Sequence, residues 1–327
     1  MEYKPPFLIN DNIINLLAKA SETVGQISVV YKNTINPTLR RENRIKTIHS
    51  SLAIEHNSLS VEQVTDLIGG KRVLGLPREI AEVKNAYEAY EIMLLLNPQK
   101  IDDLLYAHKL MMNGLIKENG RFRSGGVGVF AGDKLIHAAP PANLVPKLVA
   151  DLFEWYEKSP LHILIKSCIF HYEFEFIHPF SDGNGRMGRM WHTLLLSQWN
   201  ELFAWLPIEE LIRKKQSEYY AALGESDTKA DCTEFVELMI GIITDALIEL
   251  DNTDQVTDQA TDQVKMLINC VGNDTLSARE IMTRLGLSHR DTFRKNYLNP
   301  ALLSGLIEMT VPDKPNSPKQ KYRKTIK

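Results

Sequence analysis

The amino-acid sequence predicts a mainly α-helical protein that is divided into modules of unequal size. Apolar residues recur at helical spacing through most of residues 10–250, and one short segment there is patterned like a β-hairpin. A polar repeat follows, and the sequence beyond it changes from acidic to basic. The length of 327 residues is also too great for one typical small domain, which favours a division.

The composition excludes several classes of protein. With 44% hydrophobic and 24% charged residues, the chain is neither collagenous, nor intrinsically disordered, nor a disulfide scaffold. The net charge of -3 excludes a wholly basic nucleic-acid binder. Cys168, Cys232 and Cys270 form no CxxC pattern, which is typical of a reducing compartment and offers no zinc site.

The sequence favours a soluble, cytoplasmic protein. Its first residues lack the basic and then apolar pattern of a signal peptide. The most apolar long stretch, at 235–250, contains Glu237, Asp245 and Glu249. A membrane span needs about 20 residues with few or no charges, so we expect a packed helix at this position and no membrane partner.

Capping residues and helix breakers mark out the predicted helices. Asn10 and Asp11 cap the first helix, Ser60 opens a short one that Gly69 ends, and Pro77 lies in the first turn of a long one. Apolar spacing supplies the others. The predicted helices cover 11–27, 40–54, 60–68, 77–96, 101–115, 144–157, 161–175, 185–199, 208–223 and 235–250.

One segment of the first module has the pattern of strands. Glycine-rich residues 125–129 and the apolar residues 135–137 flank Ala131-Gly132-Asp133, which predicts a short hairpin rather than a plain surface loop. A hairpin in an otherwise helical domain leaves an exposed strand edge. Such an edge can accept an extended peptide by strand addition.

The most informative stretch, residues 178–189, reads HPFSDGNGRMGR. Its glycine turn at 183–185 immediately precedes an apolar helix, and this arrangement presents backbone N–H groups to an anion. Arg186 and Arg189 are three residues apart and therefore share one face of that helix. Guanidinium groups beside a cradle of N–H groups are suited to a polyphosphate.

Two further side chains of this stretch point to phosphate chemistry. Asp182 precedes the cradle, and a carboxylate beside phosphates is a typical ligand of Mg²⁺. His178 lies before it and is a candidate general base. A lone histidine is more often structural, and a lone GxG is only a turn. Their combination within twelve residues favours a nucleotide site.

The same stretch resembles the signature of the Fic family, HxFx(D/E)GNGRxxR, at every specified position. The resemblance extends over about 200 residues, from roughly 49 to 250. The segment from Gly128-Val129-Phe130 through Ile136-His137 resembles the family's flap hairpin, which aligns the target side chain. Tyr219 and Tyr220 resemble a tyrosine pair that borders the nucleotide base. The resemblance thus implies a Fic-type helical bundle with a short β-hairpin flap.

The resemblance implies adenylyl transfer, in which ATP donates AMP to a hydroxyl group of a target protein and releases pyrophosphate. His178 would then take the proton of the attacking hydroxyl, and Asp182 would hold Mg²⁺. Arg189 would grip the γ-phosphate, while Phe180 is interpreted as a core anchor for the loop. The implied ATP-binding set comprises Gly183, Asn184, Gly185, Arg186, Met187, Gly188, Arg189, Tyr219, Tyr220, Val127, Gly128 and Val129.

A second motif suggests regulation. Ser51 and Glu55 match the family's inhibitory helix, (S/T)xxxE(G/N), and their i, i+4 spacing places them on one side of a helix. The last position departs from the pattern, because it is His56, and Asn57 follows one residue later. This departure can shift the end of the helix. The resemblance implies that Glu55 inhibits in cis by occupying Arg189, whereas the alternative is a solvated carboxylate at a helix end.

The C-terminal region differs in charge and pattern. From Val264 onward it has 12 basic and 5 acidic residues, a net charge of +7, whereas the rest has 26 and 36, a net charge of -10. Before it, residues 253–264 read TDQVTDQATDQV. This TDQ repeat is interpreted as a solvated linker or the frayed end of a helix. We expect N-terminal helices over 1–45, the Fic catalytic domain over 46–250, a linker over 251–263 and a separate domain over 264–327.

The last domain resembles a winged helix-turn-helix. Ser277 and Glu280 form a capping box, and strands near 308–311 and 321–323 flank a loop rich in Pro and Lys. Arg290, Arg294 and Lys295 on the second helix are placed to meet DNA phosphates. Winged helices also serve as protein-docking or dimer modules, so both interpretations stay open.

The favoured activity is therefore an autoinhibited protein adenylyltransferase with ATP, Mg²⁺ and a hydroxyl-bearing target protein as partners. Self-modification and a homodimer are compatible with the sequence. One alternative is a hydrolase that removes AMP, with Glu55 orienting a water. Others are transfer of another nucleotide or phosphoryl group, and a nucleotide-sensing, DNA-binding regulator.

Overall fold

The computed structural model describes residues 3–30, 37–131, 134–272, 274–303, 306–312, 317 and 320–325. The chain divides into two compact units, Met1–Ile248 and Glu249–Lys327. In the described part of the chain, no helix is both long enough and apolar enough to cross a membrane. The predicted linker at 251–263 and the boundaries around it stay a prediction.

The first unit is helical, which confirms the predicted fold class. Short 3₁₀ segments at Met93–Leu95, Ala142–Leu144 and Glu201–Trp205 connect some of its α-helices. The helices are α1 Asp11–Val30, α2 Pro37–Ile54, α3 Val61–Ile68, α4 Pro77–Ile92, α5 Ile101–Met111, α6 Val145–Lys158, α7 Ile163–Ile177, α8 Asn184–Ser197, α9 Ile208–Lys214 and α10 Gln216–Lys229. Helix α11, Thr233–Val271, begins in this unit and continues past its last residue, Ile248.

Local signals explain where several of these helices begin. Ser60 forms a capping box at the start of α3: its Oγ accepts from the Gln63 N–H at 3.3 Å, and Gln63 Oε1 accepts from the Ser60 N–H at 2.9 Å. Pro77 occupies the first turn of α4, where its missing N–H has no helical partner to lose. Both starts were predicted from the sequence.

Several predicted helices have different limits in the structure, among them the helix at 77–96, which ends at Ile92. The predicted helix at 208–223 is two helices, because Lys215 leaves helical geometry at φ -106° and ψ 29° between α9 and α10. The predicted helix at 101–115 ends at Met111, before Gly114 with φ +69°. The predicted helix at 235–250 continues to Val271, so that the backbone of the TDQ repeat is helical.

Helices α7 and α8 form the centre of the first unit. Most of α7 is buried, and α8 is buried from Asn184 to Leu196 except at Gly185. Trp191, Phe170 and Phe174 are among the largest fully buried side chains. Because close-packed interiors resist displacement, the loop at 178–183 between these helices has fixed ends.

The predicted hairpin is confirmed. Strands β1 Gly128–Ala131 and β2 Lys134–Ala138 are antiparallel, with Gly128 opposite Ala138 and an irregularity between Val129 and Phe130. Gly132 and Asp133 lie outside the described residues.

The second unit has short helices, α12 Ala278–Arg284, α13 Arg290–Phe293 and α14 Asn299–Leu303, with a π-helical turn at Arg294–Leu298. Its strands β3 Leu276–Ser277, β4 Ile307–Met309 and β5 Lys321–Lys324 form an antiparallel sheet in the order β3-β5-β4. The predicted capping box is present, because Ser277 Oγ accepts from the Glu280 N–H. This arrangement confirms the helix-turn-helix with flanking strands and adds β3, which the sequence did not predict. DNA contact stays a prediction.

Candidate active site

A cavity of about 540 Å³ in the first unit brings most of the predicted site residues together. Its walls come from the end of α2, the loop at 178–183, the start of α8, and α10, with Gly128 of β1 at the edge. The predicted residues that line it are Glu55, Gly128, His178, Asp182, Gly183, Asn184, Gly185, Arg189, Tyr219 and Tyr220.

Other predicted residues are not among those that line this cavity in the described part of the chain. Ser51 lies behind it and contacts Arg189. Met187 and Gly188 are buried within α8, and a Cβ on Gly188 would collide with the Glu175 carboxylate. Gly188 therefore allows close packing against α7. Val127 precedes β1, Arg186 is buried beside Asp182, and the side chain of Val129 lies outside the described residues.

His178 follows the last residue of α7 and turns the chain away from the helix. It adopts the left-handed conformation, with φ 50° and ψ 62°, and its N–H donates to the Phe174 carbonyl at 3.0 Å. The ring Nδ1 is 3.1 Å from the Glu175 carbonyl oxygen. Because a carbonyl only accepts, Nδ1 carries the hydrogen, and Nε2 is the basic nitrogen. This tautomer suits a general base.

The turn after His178 is closed by the side chain of Asn184. Its Oδ1 accepts from the Phe180 N–H at 2.8 Å, and its Nδ2 donates to the Phe180 carbonyl at 2.9 Å. Gly183 caps α8 with φ 87°, a conformation that favours glycine, and a Cβ there would meet Met112 Sδ at 2.6 Å. The turn thus exposes the N-terminus of α8, where backbone N–H groups are available to an anion.

His108 supports this loop from below, and the sequence did not predict it. Its ring stacks on buried Phe180, with centroids 3.6 Å apart and planes 6° apart. His108 Nδ1 accepts from the Gly120 N–H at 2.9 Å, so Nε2 donates to the Asp182 carbonyl at 3.0 Å. Burial lowers the pKa of His108 to about 4, which keeps this ring neutral and preserves both hydrogen bonds.

Arg123 is a second supporting residue that the sequence did not predict. It is buried, and its Nε donates to the His178 carbonyl at 2.7 Å. Its Nη2 donates to the carbonyls of Ile177 at 3.3 Å and Pro140 at 2.5 Å, and its Nη1 donates to the Gly125 carbonyl at 2.9 Å. One guanidinium therefore joins the end of α7 to the segments on both sides of the hairpin.

Arg189 is 2% exposed and its donors are occupied by the end of α2. Nη2 donates to Glu55 Oε1 at 2.8 Å and to the Ser51 carbonyl at 3.0 Å, and Nε donates to Ser51 Oγ at 3.1 Å. Burial alone raises the pKa of Glu55, but the charge and hydrogen bond of Arg189 outweigh it and hold that pKa below its usual value. Glu55 is therefore charged near neutral pH.

The departure from the inhibitory pattern has a structural counterpart at His56. Helix α2 ends at Ile54, and His56 adopts the left-handed conformation with φ 69°. Glycine or asparagine, the residues of the family pattern, adopt this conformation more readily. Asn57 is buried, and its Nδ2 donates to Glu82 Oε2 at 2.9 Å and to the Glu79 carbonyl at 3.2 Å.

Asp182 lines the cavity in the loop before the phosphate cradle, and the other acidic lining residues are Glu55, Glu175 and Asp227. Arg186 Nη2 donates to its Oδ1 at 3.0 Å, and Arg78 Nη2 donates to its Oδ2 at 3.1 Å. Among the described residues there is no group of three His, Cys, Asp or Glu side chains that could hold a metal. Mg²⁺ commonly takes one or two carboxylates with phosphate oxygens, so a single carboxylate fits Mg²⁺ that arrives with a nucleotide.

The predicted tyrosine pair divides into a buried and an exposed member. Tyr219 is 1% exposed, and its hydroxyl is 2.8 Å from His171 Nε2. Tyr220 is 43% exposed and packs edge-on to Tyr219, with ring centroids 5.5 Å apart. Tyr219 is thus part of the core below the cavity, whereas Tyr220 offers a ring at its mouth.

Comparison with known proteins identifies the family. The Fic/DOC family model matches residues 98–196, and the model of the C-terminal domain of the "Filamentation induced by cAMP protein Fic-like" family matches residues 262–325. The crystal structure of a Fic family protein from Desulfovibrio desulfuricans G20 is 55% identical and covers 99% of both chains, with a TM-score of 0.77. The chain belongs to the Fic/DOC family.

More distant relatives are protein adenylyltransferases. A probable protein adenylyltransferase of Aquifex aeolicus is 28% identical over 55% of this chain and 54% of its own length. Protein adenylyltransferase fic-1 of Caenorhabditis elegans is 29% identical over 57% of this chain and 37% of its own. The chain thus spans about half the length of these relatives or less. A Fic-1 structure from C. elegans, at 20% identity and a TM-score of 0.60, covers 75% of this chain and supports the fold.

Proposed function

We propose that this protein is an autoinhibited protein adenylyltransferase that transfers AMP from ATP to a hydroxyl group of a target protein. The proposal rests on one observation: the catalytic and the inhibitory residues face the same cavity. A phosphate cradle with a basic histidine lies on one side, and Glu55 holds the cradle's buried Arg189 at 2.8 Å from the other.

His178 is positioned to act as the general base. A Ser, Thr or Tyr hydroxyl of the target attacks the α-phosphorus of ATP and loses its proton to Nε2 of His178. A new oxygen–phosphorus bond forms, the bond to the bridging oxygen breaks, and pyrophosphate leaves. The hydrogen bond from Nδ1 to the Glu175 carbonyl, at 3.1 Å, keeps the ring in the required tautomer.

The start of α8 supplies the electrostatic part of the mechanism. Backbone N–H groups around Gly183 and Gly185 would donate to the phosphates of bound ATP, where fixed donors stabilise the charge that develops in the transition state. Arg186 lies beside Asp182 and adds positive charge toward the leaving group. Asp182 would hold Mg²⁺, which neutralises phosphate charge when bound.

Inhibition follows from competition for Arg189. This guanidinium can hold the Glu55 carboxylate or the γ-phosphate, but it cannot satisfy both fully. When Glu55 holds it, ATP binds with its α-phosphate displaced from the line of attack. A displacement of about 1 Å lowers a rate on the order of a hundredfold.

Removal of AMP is a second candidate, because Glu55 shares the cavity with His178. In this hydrolase, Glu55 orients a water onto the phosphorus of an adenylylated side chain, and AMP is released. The direction of reaction is decided by the role of Glu55: its loss increases transfer under the first proposal and abolishes hydrolysis under the second. Self-modification, a homodimer and DNA contact stay predictions.

Labelled ATP tests the proposal. The full chain and its Glu55→Gly variant are incubated with a cell lysate, Mg²⁺ and ATP labelled at the α-phosphate, and labelled proteins are identified. We expect labelling to rise on the order of a hundredfold in Glu55→Gly. Glu157→Gly is the matched control, because Glu157 is exposed near the end of α6 and does not line the cavity.

A parallel reaction with ATP labelled at the γ-phosphate separates the kinds of transfer. Adenylyl transfer leaves this sample unlabelled, whereas phosphoryl transfer labels it. Equal α-labelling by wild type and Glu55→Gly would show that Glu55 does not inhibit. Release of AMP from modified protein by wild type but not by Glu55→Gly would favour the hydrolase.

A further inference from the structure

A second, smaller cavity lies on the first half of α2 and shares no lining residue with the candidate active site. Its volume is about 250 Å³. Three arginines of α2 reach it, together with an aromatic and apolar wall and one acidic residue. The lining residues are Arg40, Arg41, Arg44, Ile45, Ile68, Tyr87, Glu91 and Trp205.

Arg44 is the central residue of this cavity. It is 5% exposed, and its buried Nε has no hydrogen-bond partner among the described residues. Its guanidinium carbon lies 4.8 Å from the centre of the Trp205 ring and 5.1 Å from that of Tyr90. These aromatic rings stabilise the positive charge of Arg44 but accept few hydrogen bonds from its N–H groups. A buried guanidinium is stabilised when an anion pairs with it, so the unpartnered Nε of Arg44 offers a donor to an anionic ligand.

Arg40 and Arg41 extend the same positive surface. Arg40 also lies over Trp205, at 4.9 Å, and its Nε is buried without a hydrogen-bond partner in the described part of the chain. Its nearest carboxylate is that of Glu201, at 3.7 Å, and that side chain is 67% exposed. Arg41 is exposed and lines the cavity from the solvent side.

The acidic groups nearby do not cancel this charge. Glu91 lines the cavity and offsets one of the three guanidinium groups. Glu209 lies deeper, where its Oε1 accepts from the Tyr90 hydroxyl at 3.0 Å, and burial raises its pKa. The lining residues, three arginines and Glu91, thus carry a net positive charge that an anionic ligand would offset.

We propose that this cavity binds a phosphate group, either free phosphate or the phosphate of a small ester. Planar guanidinium groups match the oxygen geometry of phosphate and form charge-assisted hydrogen bonds with it. A volume of about 250 Å³ is below the range of roughly 300–1,000 Å³ that drug-sized ligands occupy, which suits a small anion and excludes a whole nucleotide.

Equilibrium dialysis with labelled phosphate tests the proposal on the full chain. Ionic strength is held constant with chloride, and wild type is compared with Arg41→Gln, Arg44→Gln and Lys46→Gln. Arg41 is exposed, so its variant carries little risk of misfolding. Lys46 is an exposed cation of the same helix that does not line the cavity, and it is the matched control.

We expect Arg41→Gln to weaken the binding of one phosphate per chain by about tenfold or more, because a charge-assisted hydrogen bond is lost. Lys46→Gln should bind as wild type does. Arg44→Gln should abolish this binding and, in chloride alone, raise the melting temperature, because it removes a buried charge whose Nε has no acceptor among the described residues.

Two results would overturn the proposal. One is phosphate binding of equal strength in wild type and Arg41→Gln, which would place the bound phosphate elsewhere, including the nucleotide cavity. The other is the absence of any phosphate binding that depends on Arg41 or Arg44. Competition by glycerol phosphate identifies the source: displacement at lower concentration than free phosphate indicates an ester, and the reverse indicates the free ion.

Discussion

The loop at residues 178–185 and the end of α2 at residues 51–57 face one cavity, but they are held in different ways. The loop has internal hydrogen bonds through Asn184, a stacked ring below it and the guanidinium of Arg123 behind it. The end of α2 reaches the cavity through Glu55, and His56 after it has a left-handed backbone.

This difference indicates which of the two regions can lose a contact without a large loss of stability. The loop's contacts are buried and largely between neutral groups, so losing one leaves an unsatisfied donor or acceptor in the core. The contact of Glu55 with Arg189 is a single ion pair at a cavity wall, and the Glu55 side chain is 33% exposed. The loop proposed for catalysis is thus rigid, whereas the proposed inhibitory contact between Glu55 and Arg189 can open. Four predictions test this contrast, from the largest effect to the smallest.

The largest effect is expected for His178→Ala. Arg123 binds the backbone carbonyl of His178, and Asn184 binds the backbone of Phe180, so these contacts of the loop do not need the imidazole. ATP binding should therefore persist, while transfer falls by about a thousandfold, since general-base catalysis typically contributes 10²–10⁴. Both quantities are measured in the Glu55→Gly background. Transfer is measured with α-labelled ATP, and ATP binding is measured by calorimetric titration. Labelling close to that of Glu55→Gly alone would exclude His178 as the base.

The second largest effect concerns stability at the loop. Asn184→Ala removes the partners of both the N–H and the carbonyl of buried Phe180. We expect the free energy of unfolding of the first unit to fall by about 2–4 kcal/mol in urea titrations, with the slope m unchanged. Ser181→Ala, in the same loop, is the control and should change it little. An equal loss in both variants would show that the loop is not held by Asn184.

The sequence was a good guide to features that neighbouring residues determine. The motif at 178–189, the helix start at Ser60 and the hairpin depend on local patterns, and the structure contains each of them. His108 and Arg123 escaped prediction because they act on the loop from 74 and 55 positions away in sequence. Neither carries a motif of its own, and a buried arginine or histidine is recognised only by what surrounds it.

Some local features were also not evident from the sequence. The apolar spacing at 208–223 predicts one helix and does not indicate the break at Lys215. The motif assigns Gly188 to the ATP-binding set and the backbone of Asn184 to the phosphate cradle, and both assignments stay predictions. The structure uses Gly188 for packing against α7 and the Asn184 side chain to close the turn.

A smaller effect distinguishes charge from space at Glu55. Glu55→Gln keeps a group that fills the same volume and accepts a hydrogen bond from Arg189, but it removes the charge. We expect transfer to rise by about tenfold, less than in Glu55→Gly, because a charged hydrogen bond is exchanged for a neutral one. The gain should appear in kcat more than in KM for ATP, since placement of the α-phosphate changes.

Arg189→Ala combined with Glu55→Gly is the matched test of that gain. Without the guanidinium, the γ-phosphate has no anchor, and the double variant should remain inactive. Activity equal to that of Glu55→Gly would mean that Glu55 inhibits by another route. Equal activation by Glu55→Gln and Glu55→Gly would assign the whole effect to charge.

The smallest effect is expected at His56, where the end of α2 departs from the family pattern. Asparagine adopts the left-handed region more readily than histidine, and histidine tolerates it better than most residues. His56→Asn should therefore stabilise this helix end by only about 0.5 kcal/mol. A better-formed end favours the pose in which Glu55 holds Arg189, so residual transfer by the otherwise wild-type protein should fall by about twofold.

The control for this prediction is His56→Ala, because His56 also lines the cavity. Alanine removes the imidazole but keeps the backbone strain at φ 69°, so it should lower the free energy of unfolding where asparagine raises it. If both variants reduce transfer equally, the imidazole itself contributes to the residual activity. If only asparagine reduces it, the backbone conformation of this one residue sets how firmly the ion pair is held.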